Sequence, residues 1–157
     1  MNNYFPITKE GYKKLNDELF ELENVKLPKI IEAIQKARAL GDLSENAEYK
    51  AAKEMQGALE SRRSYLRRRI PALRIIDFSN GFDDIRFGAT ITLCDLDNDA
   101  QVSYQLVGED ESDPDSGKIS IKSPVGRSCL GRSEGDCFEV ITPGGSREYE
   151  VIKILYK

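Results

Sequence analysis

The sequence contains no histidine. That removes the commonest general base, every Ser-His or Cys-His nucleophile pair and the commonest transition-metal ligand. Chemistry is left to carboxylates, amines and hydroxyls, and carboxylates without imidazole suit a hard cation such as Mg²⁺, which takes oxygen ligands. Cysteine is scarce: Cys94, Cys129 and Cys137 are odd in number and lack CxxC spacing. They read as reduced strand or core residues rather than disulfides or zinc ligands. No apolar run is long enough to span a bilayer and no signal-peptide pattern follows Met1, so a soluble cytoplasmic protein is expected. A net charge of −4 gives no global electrostatic case for nucleic acid; any such binding needs a local patch. At 157 residues the chain is one domain or two small ones.

What is present concentrates at Gly41–Tyr49, GDLSENAEY, which holds three acids (Asp42, Glu45, Glu48) and no base. Two amphipathic helical patterns flank it. In the first, Tyr12, Leu15, Leu19 and Leu22 recur at steps of three and four, then Ile30, Ile34 and Ala37 resume the period. Thr8 is a candidate N-cap, Pro28 is expected to kink the helix or break its hydrogen bonds, and Gly41 to stop it. The second helix is expected to run to about Ile76. Ala52, Leu59, Leu66 and Leu73 take one heptad seam position and Gln56, Arg63 and Ile70 the other. Pro71 is expected to end or bend it. Together the two form an antiparallel coiled-coil hairpin, its first arm about 33 residues and roughly 50 Å long at ~1.5 Å per residue, with the acids on its tip.

The chain divides near residue 80. Residues 1–77 are the expected hairpin, 78–84 (FSNGFDD) a linker and 85–157 a second domain. Strand patterns lie at Ala89–Leu93, Val102–Val107, Lys118–Ile121, Phe138–Thr142 and Glu148–Leu155, with hairpin turns at Asp97-Asn98-Asp99 and Pro143-Gly144-Gly145. Ser123-Pro124 opens a short helix reaching about Gly131. The fold class is therefore α+β, a helical hairpin followed by a small, mainly antiparallel sheet domain.

Each candidate feature has a plain structural reading. Asp42-Leu43-Ser44-Glu45 fits a capping-box spacing, and acids are favourable in a helix's first turn. Two carboxylates three residues apart can also converge on one ion, although two ligands make a weak Mg²⁺ site that a partner must complete. Ser61–Arg69, SRRSYLRRR, holds Arg62, Arg63, Arg67, Arg68 and Arg69. It is either a solvated helix face or a phosphate-contacting patch. Arg63 falls on the seam, where it snorkels outward or pairs with an acid on the facing helix. Turn chemistry accounts for the Ser123-Pro124 and Pro143-Gly144-Gly145 loops.

GDLSENAEY, preceded by the Pro28-bearing helix and followed by Ala51-Ala52-Lys53-Glu54, resembles the Gre family of bacterial transcript-cleavage factors. The resemblance runs essentially end to end. The second half carries it independently in Phe87-Gly88-Ala89-Thr90, Val107-Gly108-Glu109-Asp110-Glu111, Lys118-Ile119-Ser120, Ser123-Pro124 and Thr142-Pro143-Gly144-Gly145. It implies a coiled-coil hairpin followed by an FKBP-like domain that docks on bacterial RNA polymerase, with Ser123 and Pro124 part of the contact. The stalk would enter the secondary channel. Asp42 and Glu45 would then act as catalytic acids, sharing a Mg²⁺ with the polymerase active centre so that the polymerase cuts its own backtracked RNA. No cofactor is implied for the free protein, nor any small-molecule substrate or membrane. The nascent RNA 3′ segment is a partner within the complex, met by the arginine run, and DNA binding is implied through transcription. The chain departs from the family pattern in that arginine run, in Arg63 on the seam, in Pro71, and in Gly126 where alanine is usual.

The expected function is thus a transcription elongation factor that stimulates cleavage by the polymerase without being an enzyme itself. A non-catalytic secondary-channel regulator or cleavage inhibitor of the same architecture should lack the Asp42/Glu45 pattern. A peptidyl-prolyl isomerase would need an apolar pocket, for which only Phe87, Tyr104, Phe138 and Tyr149 are well placed. A bare coiled-coil interaction module would tolerate neutralising the tip.

Overall fold

The computed structural model describes residues 4–42 and 46–156. They pack as two units: Tyr12–Leu73, and the residues up to Gly11 together with those from Arg74 onward.

The chain opens with β1 (Phe5–Ile7) and then α1 (Lys9–Glu21). Thr8 is the helix cap that its position suggests: its Oγ1 accepts the Gly11 N–H at 3.0 Å. α1 does not run unbroken to Gly41. It widens into a π turn over Leu22–Lys26 and continues as α2 (Leu27–Arg38). Pro28 is the cause. Its ring has no N–H for the carbonyl one turn back and would crowd it, so the chain takes one extra residue in the preceding turn. There the Leu27 N–H reaches the Leu22 carbonyl, five residues away.

The returning helix, α3 (Ala47–Arg69), is shorter than the expected run to Ile76. Ile70–Ala72 tighten into a 3₁₀ turn around Pro71, which cannot donate back into the helix, and the chain leaves as β2 (Leu73–Ile75). β1 and β2 form a two-stranded sheet that the sequence patterns do not disclose. On the hairpin seam Ala52, Leu66, Ile70 and Leu73 are buried against a first arm that buries Leu22, Leu27, Ile34 and Ala37. Leu59 and Gln56 are half-buried, while Arg63 is exposed.

The other unit is built on a five-stranded sheet: β3 (Thr90–Asp95), β4 (Gln101–Val107), β5 (Lys118–Ser120), β6 (Cys137–Thr142) and β7 (Gly145–Leu155), in the order β5-β4-β3-β7-β6. All neighbours are antiparallel except β4 and β5. Alternating burial along β3 places Ile91 and Leu93 in a core with Ile85, Leu106, Cys129, Phe138, Val140 and Val151. The two expected hairpins form. Asp99 takes a φ of 57° in the first, and Gly145 a φ of 124° in the second, a backbone that glycine adopts without strain. In the first, the buried Asp95 carboxylate accepts the Asp97 N–H at 2.9 Å and the Arg147 guanidinium at 2.6 Å. The backbone donor and then Arg147 hold it below the usual aspartate range, against the effect of burial. α4 (Pro124–Cys129) closes one end of the core. Among the described residues no helix is long and apolar enough to cross a membrane.

Candidate functional site

The hairpin tip is assembled from the last turn of α2 and the first of α3. Beyond Arg38 the chain turns through Ala39 and Leu40, and Gly41 adopts a φ of 127°, which a side chain would oppose. Asp42 follows, exposed. Glu45, its expected partner, lies outside the described residues. The cap of α3 is Asn46 rather than Asp42: the Asn46 side chain accepts the Tyr49 N–H at 3.1 Å. Its amide nitrogen also donates to the Ala37 carbonyl at 2.7 Å, beside the Leu40 N–H that the same oxygen accepts at 3.1 Å. One side chain therefore caps one helix and ties it to the other. Behind it two small buried residues, Ala37 and Ala52, bring the arms close, and the Arg38 guanidinium lies 5.9 Å from the Tyr49 ring centre. Asn46 is thus the N-cap of α3; the capping box read at Asp42-Leu43-Ser44-Glu45 falls partly outside the described residues.

An oxygen-only donor set at the tip has the chemistry that Mg²⁺ prefers. Among the described residues no three acidic or thiol side chains converge as a ready cation site, so any ion held by Asp42 would need ligands from elsewhere.

The arginine run resolves into contacts across the hairpin. Arg62 grips Glu18 with two bonds, Nε at 2.6 Å and a terminal nitrogen at 3.0 Å. Glu23, inside the π turn, receives Arg63 Nε at 2.7 Å and Arg67 Nε at 2.9 Å. Arg63 thus settles its open choice by pairing with a facing acid. The hydrogen bond from Arg62 holds Glu18 below the usual glutamate range, and those from Arg67 and Arg63 do the same for Glu23. Arg68 is exposed and makes no ion pair among the described residues. Arg69 ends α3.

Ser123 and Pro124 open α4 as expected. The Ser123 hydroxyl donates to the Ser120 carbonyl at 2.6 Å and accepts the Gly126 N–H at 3.1 Å, with Pro124 in the first turn. Gly126 packs directly on the Ser120 carbonyl, where a Cβ would overlap it. Cys129 is buried beneath, its thiol pushed up to about 12 by desolvation, which makes it an inert core group. Phe138 is buried and stacks on Tyr149 at 5.9 Å, so the aromatics that a prolyl-isomerase pocket would need are partly spent on the core.

Helical periodicity does not single out Asn46 or the acids opposite the arginines. Asn46 carried a usable signal, an Asn immediately before a run of helix formers. Glu18 and Glu23 carried only their place on the facing arm.

Comparison with known proteins agrees along the whole chain. Residues 79–156 match the family described as "Transcription elongation factor, GreA/GreB, C-term", and residues 5–75 match "Transcription elongation factor, N-terminal". Transcription elongation factor GreA of Hyphomonas neptunium is 50% identical over 153 residues, covering 97% of this chain and 98% of that protein. Its namesake from Ralstonia nicotianae is 51% identical over 153 residues, covering 96% and 97%. The solved structure of the transcription factor Gfh1 is 28% identical and covers 98% of this chain and 99% of its own, with a TM-score of 0.48. The chain belongs to the GreA/GreB family of transcription elongation factors.

Proposed function

We propose that this factor acts on bacterial RNA polymerase in the cytoplasm by delivering the tip of its helical hairpin to the active centre, where it stimulates cleavage of backtracked nascent RNA. The observation that carries the reading is the exposed Asp42 on a turn closed by Asn46, in a chain of this family. Asp42 and Glu45 would hold a Mg²⁺ jointly with the polymerase, and that ion, when bound, would supply charge neutralisation at the phosphate and a more acidic water. The part left to this chain is to orient the attacking water and accept its hydrogen bond at carboxylate oxygens. That role fits carboxylates in a protein without histidine. The bonds broken and made belong to the polymerase's own reaction, so the chain is a stimulating factor rather than an enzyme.

The sheet unit serves as the docking part, with the Ser123-Pro124 end of α4 in the contact. Extruded RNA would pass the arginine run. Arg62, Arg63 and Arg67 already neutralise Glu18 and Glu23, so phosphate contact falls first to the exposed Arg68.

The test is RNA cleavage in a stalled elongation complex with and without the protein. Wild type should accelerate cleavage, and Asp42→Ala should lose the acceleration while still competing with wild type for the polymerase. An Asp42→Ala protein that cleaves at the wild-type rate would remove the carboxylate from the mechanism.

A further inference from the structure

β6 stands at the end of the five-stranded sheet, paired with β7 on one side only. The phase of that ladder is fixed at its start, where the Val151 N–H bonds the Asp136 carbonyl at 2.9 Å. From there Phe138, Val140 and Thr142 turn their backbone groups toward Tyr149, Arg147 and Gly145. The N–H and C=O groups of Cys137, Glu139 and Ile141 therefore point to the unpaired side. The side chains of these three share the outer face of the sheet, opposite the buried Phe138 and Val140. All three are exposed, Ile141 by 75%.

Edge strands are commonly blunted by lysine, proline or a bulge. The six residues of β6 include neither lysine nor proline. Glu139 is the guard, and one charge is enough to discourage self-pairing. Yet Glu139 lies directly opposite Glu148 on β7, in a non-hydrogen-bonded pair, the closer of the two kinds. Glu150, opposite both Cys137 and Cys94, extends the same row. Like charges set opposite one another on a sheet are destabilising. Among the described residues none of these three carboxylates has an ion pair or a side-chain hydrogen bond. Lys153, the next base along that face of β7, lies beyond the bulge, opposite Thr92. Arg147 is turned to the other face and held by Asp95.

A guard alone does not require a second, opposed acid, whereas a cation laid between the two would relieve both. A second copy of this chain does not supply one. Pairing β6 with its own equivalent would set two such acid rows side by side, in chains of net charge −4. Nucleic acid has the same sign and is excluded too.

We propose that β6 is the docking edge for an extended basic segment of a partner protein, which joins the sheet as an antiparallel sixth strand with lysine or arginine at alternate positions beside Glu139 and Glu148. Main-chain bonds to Cys137, Glu139 and Ile141 hold the segment, and the aliphatic stems of its basic side chains cover Ile141. This surface lies wholly in the sheet unit and is independent of the cleavage chemistry.

The probe is a capped peptide of alternating lysine and valine, about eight residues long, titrated calorimetrically into the full chain. Amide exchange in the protein is followed alongside. The expected result is one peptide bound per chain, with slowed exchange at Cys137, Glu139 and Ile141. The Glu139→Gln/Glu148→Gln double variant should bind about tenfold more weakly. Antiparallel addition turns the amides of the outward-facing lysines toward β6. N-methylation of the lysine amides should therefore abolish binding, and N-methylation of the valine amides should spare it. That comparison needs no protein variant, so it decides even if the double variant misfolds. Equal binding by the two methylated peptides would reduce the contact to charge alone and overturn the proposal. Absence of binding, unchanged exchange at the three amides on saturation, or wild-type affinity in a folded double variant would overturn it equally. Protection of the same amides on raising the concentration of the protein alone would assign the edge to a second copy, and the proposal would fall.

Discussion

Replacing Asn46 by alanine removes two hydrogen bonds at once, and the structure allows their loss to be sized separately. The N-cap bond to the Tyr49 N–H is worth about 1 kcal/mol. The bond to the Ala37 carbonyl, 2.7 Å long at the end of α2, is worth about another 1 kcal/mol. Their combined loss of ~2 kcal/mol should raise local opening of the tip roughly thirtyfold. Amide exchange at Tyr49 and Lys50 reads this directly, because the Lys50 N–H bonds the Asn46 carbonyl at 3.1 Å and reports the same turn. Asn46→Asp separates the two terms. It keeps an acceptor for Tyr49 and gains from the helix dipole, but sets a carboxylate against the Ala37 carbonyl. The aspartate variant should therefore protect Tyr49 nearly as well as wild type while the arms part at Ala37. If both bonds serve the tip, stimulated cleavage falls in both variants and polymerase competition does not. Tyr49 exchange in Asn46→Ala within twofold of wild type would refute the reasoning, since neither bond could then be holding the turn.

Two further outcomes follow from the ion pairs and from α4. The folded-state values of Glu18 and Glu23 are depressed by their arginines, so the stability they contribute is fully present above the ordinary glutamate value of about 4.3 and is lost as pH falls through the folded values. Thermal melts of helical signal should drop on acidification from about pH 5 to 3, and the Glu18→Gln/Glu23→Gln double variant should flatten that drop; an equal acid slope in both proteins would dismiss these pairs. Gly126→Ala should destabilise the protein by about 1–3 kcal/mol in denaturant melts, because its Cβ has to displace the Ser120 carbonyl.

Features settled within a few residues were readable from sequence. Thr8 and Ser123 cap helices as their residue types suggest, the Asp97–Asp99 and Pro143–Gly145 turns form hairpins, and period-two burial places the five strands within a residue or three of their expected ends. Where two local solutions competed, the pattern could not choose. Asp42 and Asn46 both suit an N-cap, and Asn46 takes that of α3 while its amide also reaches the Ala37 carbonyl. The rest depends on partners far along the chain. Phe5–Ile7 and Leu73–Ile75 are three-residue strands that mean nothing apart from each other, and Glu111 reads as one more surface acid until Thr8 is beside it. The acid at Asp42 is conspicuous in the sequence because three acids and no base stand between two helical patterns.

The π turn at Leu22–Lys26 sets a phase as well as absorbing a proline. Each residue of an α-helix turns the chain by about 100°. Deleting one residue from the turn would rotate everything after it by that angle. Ile34 and Ala37 would swing off the buried face, and the chain would present Asp42 to a different quarter. Relaxing Pro28 to a residue with an N–H would invite the same correction, since a regular helix could then reclaim the extra residue. The direction in which the tip carboxylate faces is thus encoded some fourteen positions upstream, at a proline that touches nothing catalytic, and drift at Pro28 would re-aim the protein without altering a single acid.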